Sequence, residues 1–404
     1  MHVTHDRAAA VLLRDLPAPR VLAAMGPQLP AGLVAAIIRE ARRTDRVLTL
    51  LVADLTGRFA FLDAAARAQV RAGRLRVVVL AGAVPVDLAA DVDHVPASMW
   101  DVDGMIASGV LPFDVVVARM RPTGRPGWLG YGDIVGYTHS ALTTSARAGF
   151  ELQPAHANLP GTDPVPLDRA QVVVTAPVGE ADADAPPGRS PSDAQLRVAA
   201  RVADLVPCQA TVQVGLGAVP EAVVAALVGR HDLRVHSGVL PGALRRLSTV
   251  GPMVATGVLG DASCGWGEVC LEPLSRTHDP VRLLGLWRLW AVNSGFEVDL
   301  TGAVNAEYRK GLRIASGGGQ TDFVRAAHLG AEGASVLALP SRSAGAPRIV
   351  AHLGVPATTP GGEVDLVVTE YGVADLRGRS ATDRAAALVA VAHPDDRPSL
   401  AAGL

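Results

Sequence analysis

Short apolar runs alternate with alanine-rich stretches of helical spacing along most of the chain. RVLTLLVA (Arg46 to Ala53), LRVVVLAG (Leu75 to Gly82), FDVVVARM (Phe113 to Met120) and AQVVVTAP (Ala170 to Pro177) are rich in β-branched residues and too short for core helices. They predict buried strands. GLVAAIIREARR and AAARAQVRAGR read as helices between them. The second half repeats the pattern, with TVQVGLG, LRVHSG, SVLALPS and VDLVVTE as strands and EAVVAALVGR, DFVRAAHL and ATDRAAALVAVA as helices. Strands without polar alternation are buried on both faces, so the pattern predicts α/β layers around a largely parallel sheet in each half.

Between the halves, GEADADAPPGRSPSD (Gly179 to Asp193) is rich in acidic residues, Pro, Gly and Ser, and cannot bury enough apolar surface to fold alone. It predicts a linker at 179–193, an N-terminal domain at 1–178 and a C-terminal domain at 194–404. A chain of 404 residues is long enough for two domains that each bury a core.

Composition narrows the function classes. The formal net charge is −2 and aromatics make up only 4% of residues, so neither charge nor stacking surface argues for a nucleic-acid or anionic-membrane partner. Lys310 is the lone lysine among many arginines and alanine is abundant, as expected from a GC-rich bacterial genome. The opening residues carry no basic segment followed by an apolar core, and charges interrupt every long apolar run, so a cytoplasmic protein is expected. Cys208, Cys264 and Cys270 have neither metal-ligand spacing nor a disulfide framework. Cys208 reads as core filling, and no metal site is expected.

Two glycine-rich segments could carry chemistry. Gly215-Leu216-Gly217 follows a strand and precedes Pro220 and Glu221 at a helix start, where backbone N–H groups and the helix dipole favour an anion. Alone, Gly-x-Gly is an unspecific turn. Ser316-Gly317-Gly318-Gly319-Gln320 is more demanding, since three glycines before a helix start at Asp322-Phe323 are costly in backbone entropy. His236 is the imidazole on the strand LRVHSG, and a histidine on a buried strand is more often a hydrogen-bonded core residue than a base. Ser237 points to the opposite face and does not pair with it. Glu297 and Asp299 read as a solvated strand edge, while Glu370, Tyr371, Asp375 and Arg377 read as a polar network tying strand to helix.

VQVGLGAVPEAVVAALVGRHDLRVHSG, AVNSGFEVDLTGAVNAE (Ala291 to Glu307), SGGGQTDFVRAA (Ser316 to Ala327), SVLALPS and VDLVVTEYGVADLRGRSATDRAAALVAVAHPDDRPSL (Val364 to Leu400) together closely resemble the acetyl-CoA hydrolase/transferase family, which includes the 4-hydroxybutyrate and butyrate CoA-transferases. The first half matches in fragments, among them Phe113 to Ala141 and Glu151 to Thr162, where Asn158 falls in a segment departing from the family at Ala155 and Ala157. The resemblance implies two CoA-transferase-like domains of the NagB/RpiA type, the first abbreviated, with largely parallel sheets facing across a cleft that holds an acyl-CoA thioester. Coenzyme A thioester would be the substrate, with no covalently bound cofactor; acyl-CoA and a small acceptor would be the partners, in a homo-oligomer.

One position breaks the pattern. The resemblance implies a His-Thr-Glu ending for the strand, its glutamate being the nucleophile, whereas this chain reads His236-Ser237-Gly238. Glycine has no carboxylate, so a double displacement through a glutamyl-CoA intermediate cannot run through residue 238. Leu240-Pro241-Gly242 also replaces the family's Ser-Asp-Gly. Three readings stay open: direct attack of water or a small acceptor on the thioester; transfer through a carboxylate elsewhere, with Glu268, Glu297 and Glu307 as candidates; or a non-catalytic acyl-CoA-binding homologue. The catalytic set is Gly318, Gly319 and Gln320 as donors toward the acyl oxygen, His236, and Gly238 at the place of the absent nucleophile; Gly215, Gly217, Gly318, Gly319 and Asn293 are the candidate CoA-binding positions.

Overall fold

A computed structural model describes all residues except 1–2, 27–28, 154–157, 177–189, 247–249, 260–267 and 403–404. Most of the expected linker, Cys264, and the departures at Ala155 and Ala157 therefore lie outside the described residues. The chain divides into two compact units: 1–186 with 256–276 and 314–318, and 187–255 with 277–313 and 319–404.

In the first unit, strands Leu75–Gly82, Leu48–Asp54, Arg20–Ala23, Val115–Pro122, Arg147–Leu152 and Val172–Thr175 lie side by side in that order, all parallel. Leu22 stands level with Leu51 on one side and Val116 on the other. The helix Ala31–Arg43 buries Leu33, Val34, Ala36, Ile37, Ile38 and Ala41 against this sheet's core. Each such leucine or isoleucine contributes about 1.5–3 kcal/mol of transfer free energy relative to exposure. Asp63 and Ser98 cap the helices Ala64–Arg71 and Met99–Ala107 by accepting from the N–H groups of Ala66 and Asp101.

In the second unit, parallel strands Leu233–Leu240, Thr211–Val214, Leu289–Asn293, Ala334–Ala338 and Leu366–Thr369 lie in that order, and Gly372–Asp375 returns antiparallel on the last of them. Val212 is level with Val235 and with Trp290. The helix Asp193–Leu205 opens with a complete capping box between Ser192 and Gln195, so Asp193 belongs to the helix rather than to the expected linker. Helices Ala218–Ala226, Gln320–Leu329 and Ala381–Val391 follow.

The α/β class and the largely parallel sheets follow the hydrophobic pattern. Three details differ from it. The strand through His236 does not stop at Gly238 but runs on to Leu240, because the residues there keep extended backbone up to Pro241. The helix after the triple glycine begins at Gln320, two residues earlier than expected, with Gly319 as its N-cap. Cys208 is half-buried rather than core. Among the described residues no helix is long and apolar enough to cross a membrane.

Candidate active site

Three sequence-predicted positions stand at the carboxyl ends of adjacent strands in the second unit. Gly215 follows Val214, Gly238 lies two residues before the end of Leu233–Leu240, and Asn293 ends Leu289–Asn293. In open α/β sheets this is the edge where ligands bind. Asn293 donates from Nδ2 to Gln213 Oε1 at 2.9 Å, and Gln213 Nε2 donates back to Asn293 Oδ1 at 3.3 Å. Gly215 sits against this pair, for a Cβ there would lie 3.0 Å from Asn293 Oδ1. Gly217, with φ 116°, turns the chain into the helix Ala218–Ala226, a conformation that suits glycine. Gln320 and Asn293 line the same small void beside Thr359, to whose Oγ1 Gln320 Nε2 donates at 3.2 Å.

A second cluster forms around a residue that the sequence did not single out. His278 is buried, and its Nδ1 lies 2.9 Å from Thr277 Oγ1. The ring meets Phe323 edge-on, with centroids 4.9 Å apart and planes at 66°. Its other nitrogen, Nε2, lies 3.3 Å from where a Cβ on Gly238 would stand and 2.5 Å from where a Cβ on Gly319 would stand. The imidazole thus occupies the space into which side chains at both positions would grow. Gly238 and Gly319, far apart in sequence, are brought together by this one ring.

His236 belongs to the same cluster but in another role. Its Nε2 lies 2.8 Å from the carbonyl oxygen of Thr277, which can only accept, so this nitrogen carries a proton and anchors the turn that presents His278. The ring also meets Phe323, at 6.2 Å between centroids. Ser237 Oγ donates to Val214 O at 3.1 Å. Burial, reinforced by the neighbouring His236, lowers the pKa of His278 to about 3, so its imidazole is neutral at physiological pH.

The glycine loop supplies further donors. Phe323 N–H bonds to Gly319 O as the first turn of Gln320–Leu329 closes, and the N–H groups of Gln320 and Thr321, earlier in that turn, have no intrahelical acceptor. Gly318 has φ 58°, in the left-handed region, and the division between the two units falls between it and Gly319. Its own carbonyl accepts from Met99 N–H in the first unit.

Of the three candidate carboxylates, Glu297 and Glu307 are engaged by neighbouring side chains. Glu307 accepts from both Arg313 Nη2 and Arg313 Nε and from Thr358 Oγ1, the last at 3.1 Å. Glu297 accepts from Asn305 Nδ2 at 2.9 Å. Asp299 is buried rather than a solvated edge, because it caps a turn through Thr301 and the N–H of Ala303. The group near Glu370 is two separate arrangements: Glu370 accepts from Ser341 N and Oγ, while Asp375 pairs with Arg377 at the surface. Glu268 is exposed and belongs to the first unit, as does Asn158, whose Oδ1 accepts from Gly132 N–H at 2.9 Å.

His278 escaped sequence reading because Thr277-His278-Asp279-Pro280 has the form of a helix start. Asp279 does cap Val281 N–H, with Pro280 in the first turn. The available signal was volumetric: a close-packed interior with glycine at 238 needs some other group to fill the space.

Comparison with known proteins agrees with this architecture. Residues 266–404 match the acetyl-CoA hydrolase/transferase C-terminal domain. The chain is 29% identical over 334 residues to the 4-hydroxybutyrate coenzyme A transferase of Clostridium kluyveri, covering 76% of each chain. It is 31% identical over 282 residues to the acetyl-CoA hydrolase of Eremothecium gossypii, covering 59% of this chain and 51% of that protein. RipA from Yersinia pestis shares the fold, with a TM-score of 0.86 at 24% identity, over 100% of this chain and 96% of that one. Residues 266–404 thus match the C-terminal domain of the acetyl-CoA hydrolase/transferase family, and the chain is similar over most of its length to a CoA transferase and over a shorter stretch to an acetyl-CoA hydrolase.

Proposed function

We propose that this protein acts on a CoA thioester by direct attack of water or a small acceptor, without a covalent enzyme–CoA intermediate. The observation that carries the reading is the surroundings of Gly238. The resemblance puts a nucleophilic glutamate there, but in this chain the corresponding space faces the Nε2 edge of a buried, neutral imidazole. Relatives named as both CoA transferases and an acetyl-CoA hydrolase supply the substrate class.

In the hydrolytic form, the water oxygen bonds to the thioester carbonyl carbon and the carbonyl π pair moves onto oxygen. Collapse restores the carbonyl and breaks the C–S bond, whose pair leaves on the CoA thiolate. One water proton ends on that sulfur and the other is released as the product acid ionises. The chain's part is to stabilise the oxyanion with preorganised donors, worth about 2.7–4 kcal/mol per well-placed donor. The N–H groups of Gly319 and Gln320 are the backbone candidates, and Gly318 shapes their approach. Gly215, Gly217 and Asn293 line the same strand edge and are assigned to CoA binding.

Transfer through another carboxylate is less well supported. Glu307 is engaged by a guanidinium and Glu297 by an amide, and a carboxylate held in this way is a weaker nucleophile. Incubation of the purified protein with short acyl-CoAs, with and without carboxylate acceptors, tests the reading. Thiol release that proceeds without any carboxylate acceptor is expected. Activity strictly dependent on a carboxylate acceptor, with ping-pong kinetics, would overturn it.

A further inference from the structure

We infer that His278 is a catalytic residue, donating a hydrogen bond from Nε2–H to the thioester carbonyl oxygen as that oxygen gains charge. The inference rests on the acyl-CoA reading above and adds to it a side-chain donor that neither the family resemblance nor the glycine loop supplies.

The geometry points to this role in three ways. Gly238 and Gly319, from a strand and from a helix N-cap, both lack the Cβ that would cover Nε2, and a methyl at 319 would stand only 2.5 Å from it. Among the described residues Nε2 has no hydrogen-bond partner, whereas Nδ1 is engaged by Thr277 Oγ1 at 2.9 Å. When the Thr277 hydroxyl donates to Nδ1, the neutral ring must carry its proton on Nε2, directed at the gap between the glycines. The ring is fixed on its remaining side by the edge contact with Phe323, and the Thr277 carbonyl is held by His236.

Chemistry favours a donor over a base. A histidine whose pKa has fallen to about 3 is a poor proton acceptor near neutral pH, because little driving force remains for taking a proton from water. The same neutral ring is a good donor to a developing oxyanion, since its N–H can be shared without transfer of a full proton. Together with the N–H groups at the start of Gln320–Leu329, Nε2–H would give the oxyanion donors from two directions.

The test is a pair of substitutions read against wild type. His278→Leu removes the donor and is expected to lower kcat by about 100-fold while leaving KM for acyl-CoA within about threefold, the pattern of an interaction made in the transition state. His278→Gln, whose amide nitrogen reaches a similar place, is expected to keep kcat within about tenfold of wild type. A folded His278→Leu protein with wild-type kcat overturns the inference while the acyl-CoA reading stands. A wild-type protein that turns over no acyl-CoA defeats that reading, and this inference with it. Nitrogen NMR of the wild-type protein reports independently of whether the variants fold: an Nε2-protonated neutral tautomer between pH 5 and 8 is expected, and a proton on Nδ1 overturns the assignment.

Discussion

Replacing Gly319 by alanine adds one methyl group to the place where the structure leaves least room. The new Cβ would stand 2.5 Å from His278 Nε2, 3.0 Å from His278 Cδ2 and 3.5 Å from Phe323 Cε2. Ordinary heavy-atom contact is about 3.5–4.0 Å, so the ring must retreat by about 1 Å. It has little freedom to do so, being buried and held by Thr277 and Phe323. Gly319 has φ −86° and ψ 1°, which alanine adopts readily, so the backbone adds no penalty and the cost is steric. Overpacking of this kind costs about 1–3 kcal/mol. Urea denaturation of Gly319→Ala should show a loss in that range. Gly362→Ala, where a Cβ meets nothing within 4 Å, should stay within about 0.5 kcal/mol of wild type. Combining Gly319→Ala with His278→Ala should recover at least about 1 kcal/mol relative to additivity, because the clashing ring is gone. Acyl-CoA turnover should fall in the single variant, since the displaced ring and the added methyl both crowd the carbonyl position. If Gly319→Ala is as stable and as active as Gly362→Ala, the packing of His278 against the two glycines is wrong.

Further outcomes follow from the same structure. His278 is held neutral in the fold, so below its ordinary pKa of 6.5 the unfolded chain binds a proton that the native state does not, and stability rises with pH. Wild type should therefore lose about 2 kcal/mol more than His278→Leu between pH 7.5 and 5, measured by denaturant titration at each pH. Asp103 has the opposite sign: burial raises its pKa to about 6 against a weaker lowering by the Ser140 hydroxyl, so its contribution is lost as pH rises. Asp103→Asn should gain about 2 kcal/mol on wild type between pH 4.5 and 8 in the same assay. Gly238→Glu meets no left-handed backbone, but its Cβ would lie 3.3 Å from His278 Nε2. A covalent glutamyl-CoA, trapped with borohydride and located by peptide mass analysis, should form more readily in Gly238→Glu/His278→Ala than in Gly238→Glu alone; equal yields would show that His278 does not obstruct that position.

The sheets were legible because burial on both faces writes itself as unbroken Val, Leu and Ala runs, and Leu75–Gly82 appears as the sequence proposes it. The grouping of 256–276 and 314–318 with the first unit was not, since nothing local in those segments records which core they join. In the site, Gly238 was visible as an anomaly against the motif around it. Its consequence was hidden, because the residue that fills the space is 40 positions further on, inside a segment that reads as a helix start. Glycines at 215, 238 and 319 could be noticed as glycines; which side chain each one makes room for is a property of packing alone.

The central claim is that the thioester is attacked directly and not by an enzyme carboxylate. A single turnover in ¹⁸O-labelled water, with product acid and enzyme peptides both weighed, separates the two routes. Direct attack places one ¹⁸O atom in the released acid and none in the protein. Label appearing in an enzyme carboxylate, in a peptide bearing Glu297 or Glu307, would contradict the account and return the chemistry to a covalent intermediate.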